Sequence, residues 1–286
     1  MATVREIRAR IATIKKIQQV TSAMKMVAAA RLRRAQERAE AARPYAERMR
    51  EMLADLAPSL QGMDHPLLQQ REVRNVGVVV LGAQGGLAGS YNANIMREVQ
   101  TLVRSLPVPA RLVVRGKRAI SFLKRRNYNV VNEGMMPTNE VNLGEVRSLA
   151  GYIRHEFESG AVDEVYLVYS QFVSAMSQRP VALKILPLEA PAQEGGTASQ
   201  DLIFEPNPEE LLNRLLPRYV DVQVYRGMTE AVASEFGARM TSMTSASDNA
   251  GEMIKGLTLS YNRARQAAIT KELAEIVGGA EALQQG

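Results

Sequence analysis

The stretch whose composition most invites chemistry is Gly82, Ala83, Gln84, Gly85, Gly86, Leu87, Ala88 and Gly89, which directly follows an apolar run at 76–81. Backbone N–H groups in a glycine-rich turn at a helix N-terminus can cradle a phosphate. The spacing argues against that use: these glycines do not make G-x-G-x-x-G, and no Lys-Ser or Lys-Thr follows. The next apolar run ends in Arg115 and Gly116, with no acid to hold a ribose. A tight strand-to-helix turn accounts for the glycines. The two histidines, His65 and His155, stand far apart with no ligand or base pattern around them, so they read as surface or helix-end polar residues. Paired carboxylates beside a nucleophile are absent from the regions expected to converge. With no cysteine there is no disulfide, thiolate metal site or thiol switch. No catalytic, cofactor-binding or metal-ligating set is therefore assigned.

Charge points instead to a surface. Residues 1–50 carry 13 Lys or Arg against 4 Glu, a net +9 in a chain whose total is +6. The basic face lies on an amphipathic rod without interleaved aromatics. It suits nucleic-acid phosphates, an acidic protein or plain solvent equally well. An Arg-rich N-terminus also fits a transit peptide, but the helical pattern continues well past a targeting length and reads as mature structure. No apolar run approaches the ~18 residues of a membrane span.

These features must be positioned by the two ends of the chain. Phe236, Met240, Met243, Ser247, Ala250, Ile254, Leu257, Tyr261, Ala264 and Ala268 follow one another in alternating steps of four and three. This is a heptad seam whose small residues let a facing helix approach closely. Asn207, Pro208 and Glu210 suit an N-cap, first helical position and capping acid, and Pro217 predicts a kink or short break before a rod beginning near Arg218. Past Ala268 the apolar stripe shifts to Ile269, Leu273 and Ile276, as it would where the helix outruns its partner.

The facing helix is predicted over about residues 3–57, with Val4, Ile7, Ile11, Ile14, Ile17, Val20, Met24 and Val27 inward and a slip between Ile14 and Val20. Pro44 is expected to bend it and Pro58 to end it. At ~1.5 Å per residue this is a rod on the order of 80 Å, too long for the inside of a globule. Such alanine-rich seams bury little area, so the pair is expected to draw stability from an external sleeve. Between the rods, strands are predicted at 76–81, 111–115, 130–131, 164–171 and 181–186, with helices at 90–106, 117–126 and 143–157. Residues 190–200 read as a surface loop. The expected fold is α/β: a long antiparallel coiled coil of the N- and C-terminal helices plus a central Rossmann-like α/β domain. Domains are expected at 1–57, 73–205 and 207–286.

Two stretches carry a resemblance. Val20, Thr21, Ser22, Ala23, Met24, Lys25, Met26, Val27, Ala28, Ala29, Ala30, Arg31, Leu32, Arg33, Arg34, Ala35 and Gln36 resemble the N-terminal helix of the gamma subunit of F-type ATP synthases. Ile269, Thr270, Lys271, Glu272, Leu273, Ala274, Glu275, Ile276, Val277, Gly278, Gly279 and Ala280 resemble that family's C-terminal signature, and Gly237, Ala238, Arg239 and Met240 also match. The glycine loop departs from the family's acid-Arg-Gly-Leu-Cys-Gly.

The resemblance implies a central shaft inside a hexamer of alpha and beta subunits. Its foot grips the epsilon subunit and the c-ring at the cytoplasmic face of a bacterial plasma membrane, as a peripheral protein. Ring rotation then drives the catalytic sites through their states, and this chain performs no bond chemistry, binds no cofactor, metal or nucleic acid, and spans no membrane. By similarity, Arg265 and Gln266 match the catch for the catalytic-subunit loops, with Thr270 and Glu272 in the same signature. Met24 and Arg239 match positions where both helices meet a beta subunit. Leu273, Ile276 and Val277 are expected in an apolar sleeve, and Arg8, Arg10 and Arg33 against acidic levers. The competing reading is a nucleotide-binding α/β protein with a coiled-coil oligomerisation arm; a further one is a coiled-coil nucleic-acid binder.

Overall fold

A computed structural model of the chain describes residues 3–55, 65–189 and 208–284. The expected cap at Asn207, the stop at Pro58 and the loop 190–200 lie outside them. The elements are α1 (Val4–Asp55), a 3-10 turn (Pro66–Leu68), β1 (Val76–Leu81), α2 (Tyr91–Ser105), β2 (Ala110–Arg115), α3 (Lys117–Arg125), β3 (Val130–Gly134), α4 (Leu143–Glu158), β4 (Glu164–Phe172), β5 (Gln178–Leu186) and α5 (Pro208–Gln284). Each predicted strand and helix stands at its expected place. The chain forms two compact units, Met1–Val27 with Met240–Gly286, and Ala28–Arg239.

In the second unit the sheet order is β3-β2-β1-β4-β5. Strands β3, β2, β1 and β4 pair in parallel, and β5 pairs antiparallel with β4. All six residues of β1 are buried, because a central parallel strand is covered on both faces. Val76, Val78 and Val80 pack with Tyr91, Ile95, Met96 and Val99 of α2 and with Ala119 and Leu123 of α3. Leu81 points to the other face, where α5 passes so close that a Cβ on Gly227 would stand 2.7 Å from Leu167 Cδ2 and 3.4 Å from Leu81 Cδ1. Arg154 of α4 joins α5 there, donating to the Pro217 carbonyl at 2.9 Å and to the Asp221 carboxylate. Of the kink or short break expected at Pro217, the break does not occur: α5 is continuous through it, as α1 is through Pro44. Packing of the flanking turns, with Leu212, Leu216, Val220 and Val224 all buried, outweighs one missing helical hydrogen bond.

In the first unit, Arg8 donates to Tyr261 Oη at 2.6 Å and Gln18 to the Ser247 carbonyl at 3.5 Å. Partner numbers fall on one helix as they rise on the other, so the pair is antiparallel. The α5 seam holds: Met243 and Ala250 are buried, and Ser247, Ile254, Leu257, Tyr261, Ala264 and Ala268 are half-buried between exposed neighbours. The predicted slip in α1 does not occur. The covered positions run Val4, Ile7, Ile11, Ile14, Gln18 and Thr21, a continuous three-four rhythm, whereas Ile17, Val20 and Val27 are exposed on the outside. Polar residues take the inner places because their hydrogen bonds close locally: Thr21 Oγ1 donates to the Ile17 or Gln18 carbonyl, each 3.0 Å away. Helix α1 opens with a capping box, in which Thr3 N donates to Glu6 Oε2 at 2.9 Å and Glu6 N to Thr3 Oγ1 at 3.3 Å.

Candidate partner interface

The glycine loop is sealed from inside. Gln84 Oε1 accepts from Met136 N at 3.1 Å and Lys117 N at 3.4 Å, so the N-terminus of α3 is already occupied by a side chain. Asn92 Oδ1 takes the Ala83 N–H at 3.3 Å. A Cβ on Gly82 would lie 2.5 Å from Ala119 Cβ, and one on Gly116, whose φ is +99°, 2.4 Å from the Gly82 carbonyl oxygen. Glycine is required here for close packing of turn on turn. In open α/β sheets, ligands settle at the carboxyl ends of the strands where the order reverses, which here is the end of β1. The α5 residues Glu235 and Arg239 fill that place instead, with Gln84 N donating to Glu235 Oε2 at 3.4 Å and Arg239 donating to the Gly86 carbonyl at 3.2 Å. The geometry is that of a turn clasped to a helix. Among the described residues no group of His, Asp and Glu is arranged to hold a metal ion.

The candidate contact residues fall into distinct environments. Arg265, Gln266, Thr270 and Glu272 are exposed on α5, Thr270 bonding back to the Gln266 carbonyl at 3.0 Å. Leu273, Ile276 and Val277 are exposed at 57%, 68% and 57%, beside Ile269 at 48%. Four large apolar side chains bare to water within nine residues of one helix mark a surface that is completed by something else. Burying each would contribute about 1.5–3 kcal/mol.

On α1, Arg8 is committed to the seam, its guanidinium 5.5 Å from the Tyr261 ring centroid and its pKa raised by the Tyr261 hydrogen bond. Arg10 is exposed, Met24 is half-buried, and Arg33 pairs with Glu37 at 3.0 Å in an exposed i,i+4 bridge. Arg239 is held differently: its side chain is 13% exposed and ion-paired to Glu235, itself 7% exposed. The structure thus groups Arg265 through Val277 on one bare stretch and sets Arg239 in a buried network. Sequence reasoning missed Glu235, although its i,i+4 spacing from Arg239 was a usable signal. Tyr91 lies beside it, 4% exposed, donating to the Ala231 carbonyl at 3.0 Å, and burial together with the Glu235 charge raises its pKa well above the ordinary value.

His65 is a buried cap rather than a surface group. Its Nδ1 accepts the Leu67 N–H at 3.1 Å, and desolvation lowers its pKa while the Glu158 charge opposes that shift. His155 is exposed in the last turn of α4.

A closed glycine turn, an antiparallel pair of long helices and a bare apolar helix end define a protein that presents contact surfaces to partners. The comparisons with known proteins agree: a family model described as ATP synthase matches residues 3–283. The ATP synthase gamma chain of Desulforamulus reducens is 46% identical over 284 residues, covering 99% of this chain and 100% of the relative. That of Desulfitobacterium hafniense shows the same identity and coverage. Among solved structures, a chain of the Euglena gracilis mitochondrial ATP synthase OSCP/F1/c-ring assembly in rotational state 3 has TM-score 0.70 at 18% identity, over 99% of this chain and 95% of that one. A chain of the Tetrahymena thermophila mitochondrial ATP synthase central stalk and c-ring structure has TM-score 0.60 at 23% identity, over 80% of this chain and 99% of that one.

The chain belongs to the ATP synthase gamma chain family. Its function is that of the non-catalytic rotor shaft of an F-type ATP synthase, and its partners are subunits of that assembly. No helix among the described residues is long and apolar enough to cross a membrane.

Proposed function

We propose that the shaft works inside a hexamer of alpha and beta subunits, with its α/β domain seated against the epsilon subunit and the c-ring at the cytoplasmic face of a bacterial plasma membrane. The bare apolar end of α5 carries this reading. Leu273, Ile276 and Val277 enter an apolar sleeve, Arg265 and Gln266 with Thr270 and Glu272 engage loops of the catalytic subunits, and Arg8, Arg10 and Arg33 face acidic levers. Met24 stands where both helices meet a beta subunit, and Arg239, 13% exposed and held by Glu235 and the glycine loop, supports that place from within. The working parts are the helices 1–57 and 207–286 and the domain 73–205. Rotation couples to ATP synthesis or hydrolysis because the shaft, at each angle, favours one conformation of each catalytic subunit, and only such a differential contact shifts an equilibrium.

Charge supports the assignment of the levers: the N-terminal 50 residues carry net +9, and acidic segments are their natural complement. The test is reconstitution with alpha and beta subunits, using the full chain and a chain truncated before Ala268. Incorporation of one full-length copy per hexamer, with ATP hydrolysis that the chain alone lacks and that truncation impairs, is the expected result. A chain that ignores the hexamer overturns the reading.

A further inference from the structure

A rotor must pass torque between its α/β domain and its shaft, and the fold concentrates links to α5 over residues 231–239. Arg239 is the last residue of the α/β unit, and Met240 already belongs to the other. Within these nine residues the helix is tied to five separate segments of the chain. Tyr91 of α2 donates to the Ala231 carbonyl at 3.0 Å, and Ser234 Oγ donates to the Ser170 carbonyl of β4 at 2.8 Å. Gly237 lies against the turn between β4 and β5, where a Cβ would meet the Ala175 carbonyl oxygen at 3.2 Å. Phe236 sits under the guanidinium of Arg31 from α1 at 5.5 Å and under that of Arg239 at 5.4 Å. The last tie is the glycine loop itself, through Glu235 and Arg239.

We propose that Glu235, Arg239 and the backbone of Gln84 to Gly86 form the latch through which torque passes between the α/β domain and the C-terminal helix. An ion pair along a helix, such as Arg226 with Glu230 at 2.8 Å, has both partners on α5 and turns with it. The latch differs because its outer partners lie on the loop: Arg239 Nε and Nη2 each donate to the Gly86 carbonyl at 3.2 Å, and Gln84 N donates to Glu235 Oε2 at 3.4 Å. Turning the helix about its axis separates these atoms. Glu235 acts as a positioning residue, since its carboxylate both pairs with the Arg239 guanidinium and takes the loop N–H.

Burial makes the arrangement stiff. Both charges are withdrawn from water, so parting them leaves an unpaired buried ion, which is far costlier than opening an exposed bridge. Gly85 leaves the room for it: a Cβ there would stand 3.0 Å from Arg239 Nη2 and 3.7 Å from Glu235 Oε1. The loop is anchored in turn, because Gln84 Oε1 accepts from Lys117 N and Met136 N, spreading load to α3 and to the segment after β3.

The latch rests on the rotor role, and the experiment separates the two. In the complex assembled with partner subunits, the hexamer is fixed to a surface and a bead is attached through a single cysteine at exposed Arg104. ATP-driven rotation is recorded alongside ions moved per ATP in vesicles. Glu235→Gln and Gly85→Ala are each expected to widen the angular spread of the pauses and lower ions moved per ATP, with the rate of ATP hydrolysis retained. Arg226→Gln, breaking a pair that lies along the same helix, is expected to leave the spread unchanged. Pauses as sharp as wild type in both latch variants overturn the latch. Should Glu235→Gln not assemble, Gly85→Ala decides by the same readout. A wild-type complex that hydrolyses ATP without turning the bead overturns the rotor role itself.

Discussion

A glycine in mid-helix costs about 1 kcal/mol relative to alanine, so Gly227→Ala should stabilise the chain if helix propensity decides. The structure predicts the opposite sign. The added methyl would lie 2.7 Å from Leu167 Cδ2, well inside van der Waals contact, and Leu167 is fully buried in the central sheet with Leu81 behind it. The flanking turns of α5 cannot back away freely, because Val224, Met228 and Ala231 are themselves buried. Overpacking of this kind costs about 1–3 kcal/mol, so the net effect is a loss of about 0–2 kcal/mol after the propensity gain. The assay is urea unfolding of the full chain followed by circular dichroism, comparing midpoints at unchanged slope. A second variant sharpens the sign: Leu167→Val removes the offending carbon at its own cost, and in that background Gly227→Ala should become stabilising. The predicted coupling falls in the range of about 0.5–3 kcal/mol found for residues in contact. If Gly227→Ala raises the midpoint of the otherwise unaltered chain, α5 is not pressed onto the sheet at Gly227, and the close approach that sets the helix beside the glycine loop is wrong.

Gly116→Ala should be more severe, because a positive φ and a 2.4 Å approach to a backbone carbonyl leave no flexible atom to yield. Strain of about 1–3 kcal/mol adds to overpacking of similar size, giving about 2–6 kcal/mol lost, read by the same unfolding assay. His65 makes stability acid-sensitive: its folded pKa lies below the ordinary value, so the unfolded chain binds the proton more readily. That contribution is complete above the ordinary histidine pKa and is lost as pH falls below it, where protonation also removes the acceptor for the Leu67 N–H. Melting temperatures measured from pH 8 to pH 5 should drop less for His65→Asn, which keeps a cap acceptor, than for the unaltered chain, as ordered by these values in about the histidine range. Arg265→Ala should lower coupled activity in the reconstituted complex while leaving the melting temperature of the isolated chain within about 0.5 kcal/mol of stability, since the residue is exposed. Equal losses in both would remove Arg265 from the interface.

The three-four rhythm of α5, the place of every strand and the shift of the apolar stripe past Ala268 were legible because each is a local periodicity, set by how often one face of a helix or strand returns to the core. The seam residues of α5 were accordingly correct one by one. The same reasoning failed on α1, where it took Ile17 and Val20 as inward. Gln18 and Thr21 occupy those places, since an inner position is defined by the helix that faces it, and Ser247 and Gly251 leave room for a glutamine. At Pro217 one lost hydrogen bond predicts a kink or short break, and side chains buried on both sides of it keep the helix continuous.

Sequence alone determined the class of elements, two long amphipathic helices and an α/β domain between them in the chain, because the period of an amphipathic helix or strand needs no coordinates. Tertiary structure alone decided that Glu235 and Arg239 close on a loop some 150 residues earlier in the chain, Gly86 being 153 residues from Arg239. It also decided that β5 runs antiparallel and that Gly227 is a point of contact. Each of these joins residues far apart in sequence, and no local pattern carries a contact whose energy exists only once both partners have been withdrawn from water together.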